Sequence, residues 1–129
     1  MRVLVTGGTR CLGREVVPRC LHRGWAVRVM SRRPPSAARP AAESAQTEWA
    51  QTEWAQTEWA QADLASSAGL GQAVAGADVV LHLASLPYRG RRTDAVDVEG
   101  TSRLAEAAGR RIPPKSPSGW SRRSRPDRA

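Results

Sequence analysis

Phenylalanine is absent from these 129 residues, and tyrosine and lysine occur once each, as Tyr88 and Lys115. No apolar run approaches the roughly 20 residues that a membrane-spanning helix needs, which excludes an integral helical membrane protein. The amino terminus, MRVLVTGGT, carries a charge but no extended apolar stretch before a small-residue cleavage site, so no secretory signal is expected. Cysteine is scarce too. Cys11 and Cys20 would face opposite sides of one helix and could not pair, and a reducing cytoplasm is the expected compartment. Apolar residues make up 40% of the chain, a modest share that with this length allows one small domain and one modest core.

The net charge of +8 invites a nucleic-acid reading until it is located. Residues 110–129 hold seven of the basic side chains (Arg110, Arg111, Lys115, Arg122, Arg123, Arg125 and Arg128) against Asp127 alone. The remaining residues hold 13 basic and 11 acidic side chains, so the expected globular part is nearly neutral. The final 20 residues also hold four prolines and four serines without apolar periodicity, a composition that predicts a disordered basic tail.

Residues 1–109 alternate strand and helix signals. RVLVT (Arg2–Thr6), ended by Gly7 and Gly8, predicts a buried parallel strand. Leu12–Gly24 has Leu12, Val16, Val17, Cys20 and Leu21 at helical spacing and Gly24 as terminator, with Pro18 expected to weaken or kink the helix. Trp25–Met30 is a second strand, completing a βαβ unit with a right-handed crossover. Ser31–Pro40 is a Pro/Arg-rich loop. Further on, a weak helix is expected over Ser67–Ala75, a strand over Ala77–Ser85, a basic loop at Arg89–Arg92, and a helix over Asp94–Ala108 ended by Gly109.

Residues 46–60 are three perfect copies of QTEWA. Period five suits neither helix nor strand, since Trp49, Trp54 and Trp59 would fall on different faces of either. Glu48, Glu53 and Glu58 between them oppose a base-stacking role on nucleic acid. The repeat reads as a duplication tolerated in a surface loop, where added length costs little entropy. Only the last copy, running into Gln61-Ala62-Asp63-Leu64, is expected to be structural, as a third strand ending near Asp63.

The sharpest motif is TGGTRCLG, Thr6–Gly13, between the first strand and the first helix. Free amides and the positive dipole end of a helix suit a pyrophosphate, and glycines permit the tight turn, close backbone approach and helix–strand packing. With VRVMSRRP, QADL, DVVLHLAS and DVEGT (Asp97–Thr101) arrayed after it in order, the chain resembles the extended short-chain dehydrogenase/reductases, in particular their atypical NmrA-like NAD(P)-binding members. The resemblance covers residues 1–109 and stops at Gly109. It implies an α/β fold: a Rossmann-type parallel sheet flanked by helices, with strand order 3-2-1-4 and the sheet ending after about four strands.

Carried over by position, the resemblance places Gly7, Thr9, Arg10, Cys11, Leu12 and Gly13 around the pyrophosphate. It places Asp63 and Leu64 beside the adenine, and Leu83, Ala84 and Ser85 beside the nicotinamide ribose. Ser31, Arg32 and Arg33 come after the second strand, where an NAD-preferring member has an acidic residue; arginine there suits a 2′-phosphate and favours NADP over NAD. The alternative for these three residues is a solvated basic loop. His82 is expected to be structural, and His22 a polar position on the first helix.

Two departures count against activity. Arg10 stands where the family has its second glycine, and its side chain is expected to weaken cofactor binding. The family's reductases use a Tyr-x-x-x-Lys motif, with tyrosine as acid/base and lysine lowering its pKa; Tyr88 and Lys115 are far apart and cannot form it. The expected function is therefore that of an NAD(P)-binding fragment of an oxidoreductase-like protein, catalytically inactive, with no catalytic or metal-ligating residue assigned. Beside it stand a non-catalytic NADP-sensing module, which some atypical members are, and nucleic-acid binding through the tail. With four strands, the fourth is an edge open to a partner chain or to self-association.

Overall fold

The computed structural model describes residues 1–9, 12–34, 55–86 and 94–111. Strand β1 spans Arg2–Thr6 and helix α1 spans Leu12–His22; strand β2 spans Ala26–Ser31 and strand β3 spans Glu58–Gln61. A short helix α2, Leu70–Ala73, precedes strand β4, Val79–His82. A π-helical segment, Asp94–Val98, runs directly into helix α3, Glu99–Arg111. The four strands form one parallel sheet in the order β3-β2-β1-β4, the order expected.

The sheet is apolar on both faces because both are covered. Val3, Val5, Val27 and Val29 point to the side of α1 and pack with Val17 and Cys20. Leu4 and Met30, at the alternate positions, point the other way and pack with Ala62, Leu64, Leu70, Ala73, Val74, Ala77 and Leu104 from α2, α3 and their connections. This alternation follows from the strand's period of two, and burial on both sides explains the nearly continuous apolar strands. Val96 and Ala108, partly buried, pack against the same cluster.

Helix α1 runs through Pro18, which forgoes one backbone bond without ending the helix. It ends where expected. Gly24 adopts φ +73°, and the amides of Arg23, Gly24 and Trp25 bond to the carbonyls of Cys20 and Leu21.

Strand β2 is shifted by one residue from Trp25–Met30, and four further elements differ from expectation. The helix expected over Ser67–Ala75 is only the single turn Leu70–Ala73, because Ser67 and Gly69 both adopt positive φ ahead of it. Strand β4 is shorter than Ala77–Ser85: Ala77 closes a turn onto the carbonyl of Val74, and the strand ends at His82, with the Leu83 amide making a last bond to the Thr6 carbonyl of β1. The last helix starts with a π-helical segment and continues past Gly109 to Arg111. Gly109 leaves the helix uninterrupted because a chain in helical conformation needs no stop there, and the Arg110–Glu106 pair at 3.6 Å spans it. Strand β3 ends at Gln61 rather than near Asp63, whose side chain starts a turn by accepting the amide of Ala65 at 2.9 Å.

The third QTEWA copy supplies β3, as expected, with Trp59 opposite Val29 and Glu58 opposite Arg28. The Arg28 side chain is only 11% exposed and pairs with Glu58 at 2.8 Å. It also donates to the carbonyls of Ala73 (2.8 Å) and Ala75 (2.7 Å), capping the exit of α2. One guanidinium thus ties the third strand to the second helix. The first copy, most of the second, the loop Arg89–Arg92 and the tail beyond Arg111 lie outside the described residues.

Candidate dinucleotide site

The site is built where the chain reverses direction across the sheet, at the carboxyl ends of β1 and β4. In an open α/β sheet this switch point leaves a crevice, because the connections from the two strands depart to opposite faces. After Thr6, the backbone turns at Gly7 with φ +71°; a Cβ there would lie 2.7 Å from the Ala84 nitrogen. Gly13, in the first turn of α1, lies against the backbone of Gly7 and Gly8: a Cβ would meet the Gly7 carbonyl oxygen at 2.3 Å and the Gly8 Cα at 2.4 Å. Two of the three roles assigned to glycine in the motif, the tight turn and helix–strand packing, therefore have direct steric grounds.

Around this turn Thr9 and Leu12 are exposed, and Arg14 from α1 donates to the Thr9 carbonyl at 3.1 Å, fixing the turn from outside. Arg10 and Cys11 lie outside the described residues. Ser31 ends β2, with Arg32 and Arg33 exposed beyond it. The Ser31 hydroxyl accepts the Arg33 amide at 3.2 Å, and Gln61 donates to the Arg32 carbonyl at 3.2 Å, so the segment is held at the carboxyl end of the β2–β3 pair. Asp63 is half-buried, while Leu64 is 5% exposed and belongs to the core beneath it.

Leu83, Ala84 and Ser85 form the other wall, and two side chains that sequence reasoning did not single out hold it. The Thr6 hydroxyl, fully buried, accepts the amides of Leu83 (3.2 Å) and Ala84 (3.3 Å). The Asp97 carboxylate accepts the amide of Leu86 at 3.1 Å and the Ser85 hydroxyl at 3.3 Å. His82 joins the two: its Nδ1 lies 2.6 Å from the Thr6 hydroxyl and its Nε2 lies 2.9 Å from the Thr101 hydroxyl, which donates to the Asp97 carbonyl at 2.6 Å. Burial pushes the His82 pKa down, opposed by the nearby Asp97 carboxylate. The structural role expected of His82 is this bridge. The sequence signal for it is one polar residue inside an otherwise apolar strand, which demands a buried partner.

Cys20, the free cysteine among the described residues, lies on α1 and is buried against the sheet, and burial raises its thiol pKa against the lowering effect of Arg23. It is a core residue rather than a nucleophile. Among the described residues no cluster of metal-ligating side chains occurs, and no helix is long and apolar enough to cross a membrane.

The family model described as the NAD dependent epimerase/dehydratase family matches residues 3–116. Among solved structures, a short-chain dehydrogenase/reductase superfamily protein from Agrobacterium tumefaciens with bound NAD is 29% identical, with a TM-score of 0.62, over 84% of this chain and 29% of its own. Uronate dehydrogenase from Agrobacterium tumefaciens is 26% identical, with a TM-score of 0.61, over 85% of this chain and 36% of its own. A short-chain dehydrogenase/reductase from Serratia marcescens is 26% identical, with a TM-score of 0.65, over 86% and 50%. The chain thus spans half or less of the length of these structures. No curated protein matches it.

Proposed function

The chain belongs to the NAD dependent epimerase/dehydratase family, and we propose that its crevice holds a nicotinamide dinucleotide, NADP in preference to NAD. The observation that carries this reading is the glycine turn between β1 and α1 at the switch point of the sheet, where a Cβ on Gly7 or Gly13 would strike backbone and the first turn of α1 is held directly beside it. Gly7, Thr9, Leu12 and Gly13 would receive the pyrophosphate, where the helix amides and dipole favour an anion. Ser31, Arg32 and Arg33 would receive the 2′-phosphate; no carboxylate stands among them to select the free ribose hydroxyls, and guanidinium pairs bidentately with phosphate. Asp63 and Leu64 would border the adenine, and Leu83–Ser85 the nicotinamide ribose. When bound, the dinucleotide supplies a hydride donor or acceptor at its nicotinamide ring.

The chain by itself is proposed to bind without turnover. Its only tyrosine and only lysine, Tyr88 and Lys115, cannot form the paired acid/base arrangement of the reductases. Arg10 stands in the sequence where the family has its second glycine, and the complex is proposed to be weaker for it.

Fluorescence titration with NADPH and NADH, on the wild-type chain and on Arg10→Gly, tests this reading. Saturable binding with NADPH preferred is expected, tightened by Arg10→Gly by about tenfold, equivalent to about 1.4 kcal/mol. A folded chain that binds neither nucleotide, with or without the substitution, contradicts it.

A further inference from the structure

The hydrogen atoms around His82 can be assigned by elimination. The Thr101 hydroxyl has one proton, and it goes to the Asp97 carbonyl at 2.6 Å, since a carbonyl only accepts. Toward His82 the same hydroxyl must therefore accept, so Nε2 carries the ring proton. In the neutral ring Nδ1 is then bare, and at 2.6 Å it accepts the proton of the Thr6 hydroxyl. With its own proton so directed, the Thr6 oxygen turns both lone pairs to the amides of Leu83 and Ala84. Each ring nitrogen and each hydroxyl proton of this network then has one partner.

The imidazolium breaks this match. A proton on Nδ1 points at the Thr6 oxygen, which would then face three donors with two lone pairs and leave its own proton unplaced. Since Leu83 also bonds the Thr6 carbonyl at 3.1 Å, the amide with the most to lose is that of Ala84. That backbone lies 2.7 Å from where a Gly7 Cβ would begin, so the bond holds the loop after β4 against the glycine turn.

We propose that His82 is a positioning residue whose neutral, Nε2-protonated form holds the Leu83–Ala84 wall against the glycine turn through the Thr6 hydroxyl, and that protonation of the ring releases it. The consequence for a bound dinucleotide rests on the function proposed above; the clamp itself does not. From the elements packed against β4, the charged group facing the ring is Asp97 of the π-helical segment; Thr6 of β1 and Thr101 of α3 do not titrate in this range. Burial outweighs Asp97 and depresses the folded-state pKa below the unfolded value of about 6.5. The neutral ring's contribution to stability is therefore complete above about pH 6.5 and is lost as the pH falls through the lower folded value.

The test is nuclear magnetic resonance on the full chain from about pH 7.5 to about pH 5, reading the His82 ring nitrogens and the hydrogen exchange of the Ala84 amide against that of Val5 in β1. The expected result is a neutral ring protonated at Nε2, and an Ala84 amide that loses about threefold to tenfold in protection as the ring titrates. His82→Asn, whose side-chain oxygen can stand in for Nδ1, is expected to keep Ala84 protected at every pH. Thr6→Val is expected to leave it unprotected at every pH. A ring protonated at Nδ1, or Ala84 protection that ignores the titration in the wild-type chain, overturns the proposal whether or not the variants fold. NADPH affinity that declines over the same range extends the clamp to the ligand. Absence of NADPH binding with the tautomer and exchange results intact supports the clamp and removes the dinucleotide reading.

Discussion

Gly13 leaves no room for a side chain. The nearest atoms to a Cβ there are backbone atoms of Gly7 and Gly8, which cannot rotate aside as a side chain would. Gly13→Ala is accordingly expected to destabilise the fold by about 1–3 kcal/mol, as overpacking does, read as a lower melting temperature of roughly 5 °C or more. Unchanged melting would mean that α1 sits further from the turn. Gly13 and Gly7 were legible in the sequence because their need is local: a turn and a close approach within one strand–helix junction. Thr6 and Asp97 were not, and of His82 only a structural role was, not its partners. The Thr6–His82 bond joins residues 76 apart, made neighbours only by the parallel register in which they are Cα partners. Arg28 was missed for the same reason, its partners at Glu58, Ala73 and Ala75 being distant in sequence.

At the scale of elements, strands were read more reliably than helix ends. The β-branched runs of β1 and β2 needed little tertiary context, whereas α2 shrinks to one turn through backbone conformations at Ser67 and Gly69 that composition does not reveal. The triple repeat is the most informative element. EWAQ occurs identically at 48–51, 53–56 and 58–61, yet the third copy forms β3. Directly after it Ala62 and Leu64 enter the core at 3% and 5% exposure; the residues at the same positions after the first two copies are threonine and tryptophan. Deleting residues 46–55 keeps one copy joined to Ala62 and is expected to shift stability by no more than about 0.6 kcal/mol, the entropy of a loop changed twofold in length. Loss of cooperative melting on that deletion would show that the first two copies contribute structure.

For the molecule as a whole, the parallel sheet with helices on both faces was legible from the order of its motifs, and the family match over residues 3–116 agrees with it. Among the described residues β4 has a strand neighbour on one side only, β1, and its residues Val79–His82 remain half-buried. An open apolar edge favours pairing with another chain. Sedimentation velocity is expected to show mass rising above that of one chain with concentration; a constant monomer mass would mean the edge is covered within the chain.

The central claim is that the glycine turn, the end of β2 and the wall after β4 form one dinucleotide site. Its most direct test is titration of the isotope-labelled chain with NADPH, tracking backbone amides by nuclear magnetic resonance. The account predicts saturable shifts concentrated at Gly7–Thr9, Leu12–Gly13, Ser31–Arg33 and Leu83–Ser85, with NADH leaving Ser31–Arg33 far less affected. Shifts absent from these segments, or gathered elsewhere on the folded chain, would contradict it.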